Sequence, residues 1–340
     1  MMTELRPASI EEAREALTGR RVVFVGGGTE IGPLPAVDAV LHTGGLNRIV
    51  EYAPPDQVVT AEAGVTLKQL QTELARNGQR LALEAPFPER ATLGGIVAAN
   101  CFGPLRTRYG SVRDVIIGIS ILRGDGVRAK GGGKVVKTVA GFDLPKLMCG
   151  SRGTLGMIAT VTFRVHPLPE TSVTLFSPAL DAGGVLALVR RIRELQLEPA
   201  ALVAMRNARG WDVALRFEGF RAGVLQQREK LRTLDEAPAS LWEEHLTARG
   251  SVRFGALPSQ LAQVEPAVGA SASWYPTLGL GFTKDVTIEA ARRALRAIGG
   301  WMIAPGDPGP PPASLPLHRA VKARLDPGGL LAPGSFVGGL

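Results

Sequence analysis

The chain has 340 residues, 45% of them hydrophobic and 21% charged, a composition typical of a globular protein with room for two domains. Its formal net charge is +8, but the basic residues are scattered, whereas nucleic-acid-binding proteins concentrate them in a stripe or tail. Two cysteines, Cys101 and Cys149, are too few for a disulfide scaffold or a cysteine-held iron–sulfur cluster, and the sequence predicts no metal site.

The N-terminal segment is acidic, with Glu4, Glu11, Glu12 and Glu15, and it lacks the apolar stretch of a signal peptide. No apolar run along the chain reaches the length that a membrane span requires. We therefore expect a soluble, cytoplasmic protein.

The first half of the chain predicts short strands separated by glycine-rich turns. Strands are expected at residues 21–25, 56–63 and 157–165, and a hairpin within 112–130 turns at 124–126. A helix is expected over residues 66–77, because Leu67, Leu70 and Leu74 share one face, Thr66 can cap its start and Gly78 can end it.

The second half predicts a β-α-β-β-α order, typical of an antiparallel sheet with helices on one face. Its strands are expected at 171–176, 201–206 and 211–220, and its helices at 185–195 and 224–234. Weaker strands at 252–254, 278–282 and 301–304 and a helix at 288–298 follow. A stiff linker, 306–312, then leads to a tail with one short helix.

A glycine-rich segment, VGGGTEIG at residues 25–32, follows the first predicted strand and could surround a phosphate with backbone N–H groups. The dinucleotide fingerprint G-x-G-x-x-G fails because Ile31 occupies the third glycine position. The P-loop pattern fails because Pro33 stands where Lys is needed, and the GGGK at 131–134 lacks the other P-loop residues. The segment is therefore a phosphate loop of another architecture or a turn without a ligand.

Two further segments are rich in small residues. ATLGGIVAAN at 91–100 can either lie against a flat ligand or form a helix packed closely on a sheet, and GSRGTLG at 150–156 enters a predicted strand. The residues alone indicate a phosphate-bearing ligand and do not identify it.

The order of four segments, VGGGTE, ATLGGIVAAN, RYGSVRD and VAGFDLPKLMCGSRGTLGMIATVTF, resembles the FAD-binding PCMH-type domain of the vanillyl-alcohol oxidase superfamily. Within it, the chain most resembles the glycolate oxidase E subunit family, and the tail LDPGGLLAPG at 325–334 resembles the superfamily's C-terminal element. The resemblance implies an α+β fold with an FAD-binding domain at 1–168, an antiparallel-sheet cap domain at 169–305 and a C-terminal segment, 306–340, returning to the FAD domain.

The resemblance also implies which residues hold FAD. The first pyrophosphate loop would be Gly26, Gly27, Gly28, Thr29 and Glu30. The second loop would be Thr92, Gly94, Gly95, Ala98 and Asn100, followed by Ser111. The adenosine end would be lined by Gly150, Ser151, Gly153, Thr154 and Ile158.

Two departures from the family pattern affect this assignment. Relatives with covalent flavin attach it through a His in the first loop, which here contains neither His nor Cys, so we expect non-covalent FAD. Ala332 replaces the usual Asn of the tail, so any contact of that Asn side chain is absent.

Oxidation of a 2-hydroxy acid by a flavin also needs a base near the alcohol and a cation for the carboxylate. His318 is a weak candidate base, because the tail helix returns towards the flavin domain in this superfamily, whereas His166 reads as structural and His245 as part of an exposed helix. Three cations on expected cap strands are candidates for the carboxylate, with a surface position the simpler interpretation for each: Arg206, Arg216 and Lys284.

Three functions are compatible with the resemblance. The first is an FAD-binding subunit of a glycolate dehydrogenase complex, together with a related flavoprotein subunit and an iron–sulfur subunit. The second is a self-sufficient FAD-dependent 2-hydroxy acid dehydrogenase. The third is a non-catalytic assembly subunit whose flavin site has decayed, which the intact glycines of both loops argue against.

Overall fold

The computed structural model describes residues 2–133 and 142–340, and the chain divides into two compact units. Unit 1 comprises Met1–Phe102, Gly110–Pro167 and Pro308–Leu340, and unit 2 comprises Gly103–Tyr109 and Leu168–Asp307. Residues 134–141, which include the Lys of the GGGK segment and the start of the VAGFDLPKLMCGSRGTLG motif, lie outside the described residues.

The strands and helices are numbered in chain order. Up to residue 167 they are β1 (Thr3–Leu5), α1 (Ile10–Leu17), β2 (Val22–Val25), β3 (Ala39–His42), β4 (Ile49–Ala53), β5 (Val58–Glu62), α2 (Leu67–Ala75), β6 (Gln79–Arg80), α3 (Leu93–Ala99), α4 (Arg106–Tyr109), α5 (Val112–Val115), β7 (Ile116–Leu122), β8 (Arg128–Gly132), α6 (Leu144–Met148), β9 (Met157–Arg164) and β10 (His166–Pro167). From residue 168 they are β11 (Thr171–Leu180), α7 (Ala182–Glu194), β12 (Ala201–Asn207), β13 (Gly210–Gly219), α8 (Arg221–Lys230), β14 (Asp235–Ala237), α9 (Ser240–Ala248), β15 (Val252–Gly255), α10 (Leu261–Val264), β16 (Ala272–Tyr275), β17 (Leu280–Thr283), α11 (Ile288–Ala297), β18 (Trp301–Ile303) and α12 (Leu315–Leu325).

Unit 1 contains a small parallel sheet, in the order β1-β3-β2, whose edge is extended by the C-terminal tail. The backbone N–H of Val22 donates to Leu330 O at 2.8 Å, and the N–H of Ala332 donates to Val22 O at 2.7 Å. Leu331 is fully buried in the core that α1, β2 and β3 share. The tail is therefore part of the sheet that leads into the first glycine segment.

The second sheet of unit 1 is antiparallel, in the order β4-β5-β9-β7-β8, and α2 and α3 contribute to its core. The helix expected at 66–77 forms as α2, with Thr66 accepting a hydrogen bond from the Gln69 N–H. The start of the expected 112–130 hairpin is wrong, because residues 112–115 form the short helix α5. There the Ser111 N–H donates to Asp114 at 2.7 Å, which favours a helical turn over a strand.

Unit 2 is built on an eight-stranded antiparallel sheet, in the order β14-β11-β13-β12-β16-β17-β15-β18. The expected β-α-β-β-α segment corresponds to β11, α7, β12, β13 and α8. The α+β fold is thereby confirmed. Within the described ranges, no helix combines the length and apolar character needed to cross a bilayer.

Candidate functional site

The first glycine segment leaves β2 and lies directly against the chain ahead of α3. A Cβ added at Gly26 would collide with the Thr92 hydroxyl, and one added at Gly27 would collide with the carbonyl oxygen of Arg90. Gly28 has φ +69°, a backbone conformation that glycine adopts without strain. The structure thus brings together two segments that lie more than sixty residues apart in the sequence.

The second segment forms α3. The interpretation of this segment as a closely packed helix is therefore correct. Thr92 is the N-cap and accepts a hydrogen bond from the Gly95 N–H at 3.3 Å. A Cβ at Gly94 would lie 2.7 Å from the Ala63 side chain, whereas a Cβ at Gly95 would meet only the Thr92 hydroxyl, at 3.1 Å. Gly94 therefore serves helix packing, and Gly95 leaves space beside the first loop. Asn100 ends the helix at φ +48°.

The third segment is anchored to the C-terminal end of α3. The Gly150 N–H donates to Val97 O at 3.0 Å, and the Arg152 N–H donates to Ala98 O at 2.9 Å. The predicted residue Ala98 therefore contributes its backbone carbonyl to this contact. These bonds place residues 150–152 at the end of the helix that begins beside the first loop.

The same segment also contacts β2 and the tail. A Cβ at Gly153 would lie 2.9 Å from the Phe24 ring and 3.9 Å from the Cβ of Ala332. Ala332 itself is fully buried at φ +42°, a conformation that Asn tolerates better than Ala. The first, second and third segments and the tail thus meet in unit 1.

The tail contains a buried ion pair between Lys322 and Asp326, which we call the tail clasp. Lys322 Nζ donates to Asp326 Oδ2 at 2.6 Å and to the carbonyl oxygens of Thr154 and Leu331, each at 2.7 Å. Asp326 also accepts from the N–H groups of Leu330 and Leu331. The clasp therefore ties the third segment to the strand-like end of the tail.

The first loop has the donors that a pyrophosphate requires. The backbone N–H groups of Gly27, Gly28 and Thr29 donate to no other group in the described parts of the chain. Ser151 Oγ is buried and likewise has no hydrogen-bond partner among the described residues. Consecutive N–H groups without a partner form an anion-binding concavity, so these residues fit a phosphate-bearing cofactor.

Several other predicted site residues already have protein partners. Glu30 Oε1 accepts a hydrogen bond from Cys101 Sγ at 3.2 Å, and the Ser111 hydroxyl donates to Asp114 at 2.9 Å. The Thr154 hydroxyl donates to Ser151 O at 2.7 Å. Ile158 is a buried residue of β9, paired with Ile121 of β7. Their roles at the cofactor remain predictions.

His318, the weak candidate base, lies on α12 in unit 1. Its ring packs against Phe336, with 5.9 Å between the centroids. Its Nδ1 is buried and has no hydrogen-bond partner within the described residues. A catalytic role for His318 remains a prediction.

The expectation that His245 lies on an exposed helix is wrong in one respect. The helix exists as α9, but its face carrying Trp242 and His245 is buried. The His245 Nε2 lies 3.3 Å from the Tyr275 hydroxyl, and burial, with a smaller contribution from Arg249, lowers the pKa of His245 to about 3. The acidic residues Glu243 and Glu244 favoured an exposed helix in the sequence, although Trp242 and His245, three residues apart, form a buried face.

Arg216 is also not the surface charge that the sequence suggested. Its side chain is only 13% exposed, lies 4.9 Å above the Trp242 ring and pairs with Glu218 at 3.6 Å. Arg206 pairs with Glu265 at 3.0 Å, and Lys284 is exposed. Among residues 2–133 and 142–340, no group of three or more His, Cys, Asp or Glu side chains is arranged to hold a metal ion.

Comparison with known proteins shows the family of the chain. The chain is 30% identical to glycolate oxidase subunit GlcE of Escherichia coli (strain K12), and the alignment covers 96% of each chain. The chain belongs to the glycolate oxidase subunit GlcE family. Residues 5–130 match the family described as the FAD binding domain, and these residues include the first two glycine segments.

More distant relatives share part of the chain or only its fold. The chain is 32% identical to D-lactate dehydrogenase of Anaerostipes hadrus over 56% of its own length and 39% of that protein. An alkyldihydroxyacetonephosphate synthase structure superposes with a TM-score of 0.73 over 97% of this chain and 76% of the other, at 15% identity, which shows a shared fold. These comparisons confirm the predicted family and the FAD cofactor. They also confirm that the chain is an FAD-dependent oxidoreductase.

Proposed function

We propose that this chain is the FAD-binding subunit of a glycolate (2-hydroxy acid) dehydrogenase complex. In this proposal, electrons pass from the 2-hydroxy acid through FAD to an iron–sulfur partner or another acceptor, and a related flavoprotein subunit completes a cytoplasmic complex. The observation that carries it is the identity to subunit GlcE, which extends over 96% of both chains and so includes unit 2 as well as unit 1.

The residues of unit 1 would bind and orient the cofactor. The N–H groups of Gly27, Gly28 and Thr29 would donate to the pyrophosphate, and Ser151 Oγ would supply a buried hydroxyl. Bound FAD supplies hydride acceptance, which no amino-acid side chain provides. We propose that the cofactor is non-covalent, because the loop has neither His nor Cys and because Cys101, which contacts Glu30, is 1% exposed.

Oxidation of the substrate removes a hydride from the carbon that bears the hydroxyl and a proton from that hydroxyl. The proton needs a base within hydrogen-bond reach. His318 is the candidate base of unit 1, because its Nδ1 has no partner among the described residues. A variant His318→Gln that retains FAD but loses substrate-dependent flavin reduction would support this role.

A second function is favoured by a specific observation. The relative that matches 56% of the chain at 32% identity is a D-lactate dehydrogenase and is named as an enzyme, not as a subunit. The chain would then be a self-sufficient FAD-dependent 2-hydroxy acid dehydrogenase.

The visible absorption spectrum of the purified chain separates these functions. Bleaching of bound flavin by glycolate or D-lactate only after the related flavoprotein and iron–sulfur subunits are added supports the complex. Bleaching with the chain alone supports the self-sufficient enzyme. A colourless chain that does not take up added FAD contradicts both, and flavin that stays with acid-precipitated protein contradicts the non-covalent link.

A further inference from the structure

Arg90 lies in a tight turn immediately ahead of the second glycine segment. The N–H groups of Arg90 and Ala91 both donate to the carbonyl oxygen of Phe87, at 2.9 and 2.8 Å. Phe87 adopts φ +53°, which an aromatic residue rarely does, so the turn is held by its surroundings. This turn puts the Arg90 carbonyl where a side chain of Gly27 would otherwise be.

The Arg90 side chain returns to the same loop. Its Nη2 donates to the carbonyl oxygen of Gly27 at 3.2 Å and lies 4.0 Å from where a Cβ at Gly28 would be. Its Cζ lies 6.0 Å from the centre of the Phe87 ring. The guanidinium is thus positioned beside the glycines whose N–H groups have no acceptor in the described part of the chain.

The charge of Arg90 has no counter-ion among residues 2–133 and 142–340. Within the described chain, Arg90 makes no ion pair, and the bond to Gly27 uses one of the five N–H donors of a guanidinium. Glu30, the acidic residue of the same loop, accepts a hydrogen bond from Cys101. A cation with free donors is therefore available next to neutral N–H groups.

We infer that Arg90 binds the pyrophosphate of FAD through its guanidinium and supplies the positive charge that the glycine loop lacks. Arginine suits this role because its planar donors match two phosphate oxygens at once. The inference rests on the FAD site alone and does not depend on the 2-hydroxy acid proposed as substrate.

The test is a titration of the apoprotein with FAD at low and at high salt, with flavin fluorescence as the readout. Arg90→Met should bind FAD about tenfold to a hundredfold more weakly than the wild type at low salt, the effect expected for losing a hydrogen bond to a charged group. The difference should narrow at high salt, because exposed charges are screened. Arg76→Met is the matched control, since Arg76 is an exposed arginine of unit 1 that pairs with Glu73, and it should bind FAD like the wild type.

Two further measurements separate charge from structure. Arg90→Lys retains the charge without the planar fork and should fall between the wild type and Arg90→Met. Riboflavin, which has no phosphate, should bind wild type and Arg90→Met equally, whereas ADP should lose affinity for the variant.

Several results would overturn the inference. It fails if Arg90→Met and Arg76→Met bind FAD equally, or if riboflavin loses as much affinity as ADP. Far-UV circular dichroism establishes that the variants are folded. If Arg90→Met is not folded, Arg90→Lys decides, and FAD binding by Arg90→Lys equal to that of the wild type contradicts the role of the guanidinium. Because no substrate or partner is added, a chain that binds FAD but oxidises no 2-hydroxy acid would contradict only the proposed function.

Discussion

Lys322→Met removes one half of the tail clasp and should destabilise unit 1. In the wild type, Lys322 Nζ is bonded to a carboxylate and two carbonyl oxygens, and Asp326 is only 2% exposed. Methionine fills a similar volume but offers no donor. The variant therefore leaves a buried carboxylate without its cation and leaves Thr154 O and Leu331 O without this partner.

The size of the effect follows from the burial of the pair. Breaking a buried ion pair by removing one partner costs roughly 3–5 kcal/mol, because the remaining charge stays desolvated. Asp326 keeps the N–H groups of Leu330 and Leu331, at 3.0 and 2.8 Å, so we expect the lower end, about 3 kcal/mol. Removing the charge of Asp326 as well, in Lys322→Met/Asp326→Asn, should recover part of this loss, so the two substitutions should not be additive.

Urea unfolding distinguishes the two units. All four tryptophans, Trp211, Trp242, Trp274 and Trp301, lie in unit 2, so their fluorescence reports on that unit, while release of FAD reports on unit 1. Lys322→Met should shift the FAD-release midpoint to lower urea. Lys68→Met, at an exposed lysine of α2 in the same unit, is the control and should change the unfolding free energy by less than about 0.5 kcal/mol.

A result that refutes the reasoning is a loss in Lys322→Met no larger than in Lys68→Met. Strict additivity of the Lys322 and Asp326 substitutions would equally show that the two side chains do not stabilise unit 1 as a pair.

Three other predictions concern the loops and unit 2. Gly95→Asp should keep the fold but lower FAD affinity at least tenfold, because it places a carboxylate beside the pyrophosphate. Gly95→Asn is the control, since it adds similar bulk without charge. Equal losses of FAD affinity for the two variants in a fluorescence titration would assign the effect to size. Gly27→Ala should lose FAD, because its Cβ collides with a backbone carbonyl. At Gly28 the nearest atom to an added Cβ is Arg90 Nη2, 4.0 Å away, so Gly28→Ala should cost only about 1–2 kcal/mol of left-handed strain, measured by calorimetry; the opposite ranking would show the loop is misplaced. In unit 2, the pKa of His245 is about 3 in the folded state, compared with an ordinary value of 6.5. Because the unfolded state binds the proton at a higher pH than the folded state, the free energy of unfolding should fall as the pH drops from 6.5 towards 3. The decrease should be at most about 1.4 kcal/mol per pH unit. His245→Phe should remove that contribution from the tryptophan-monitored unfolding free energy, and an unchanged pH dependence would contradict it.

Elements with a clear hydrophobic period could be predicted from the sequence. Leu67, Leu70 and Leu74 are buried on α2, and Val185 and Val189 on α7, because one helical face meets the core. The strands β3 and β16 have no such signal. Each has only four residues, and all four residues of β16 are buried, so no alternation of polar and apolar residues marks it.

The site could be predicted only as a set of segments. The sequence indicates that glycines matter at 26–28 and 94–95, but it does not reveal that Thr92 fills the space at Gly26 or that Ala63 packs on Gly94. Arg90 has no pattern that distinguishes it from other exposed arginines. Its importance appears only when the turn at Phe87 places it beside the loop, a tertiary contact that no local pattern encodes.

The glycines of the site therefore have two different reasons to be glycine. Gly26, Gly27 and Gly94 have protein atoms where a Cβ would be, so substitutions there act on packing, whereas Gly28 and Gly95 face space that a ligand can use. Because the packed glycines join the loop to the chain ahead of α3, and the clasp joins the third segment to the tail, the geometry of the phosphate donors depends on contacts spread over the whole of unit 1. FAD affinity should consequently respond to substitutions in the tail that never touch the cofactor, and substitution of Gly95 should change FAD affinity with little change in the unfolding of the apoprotein.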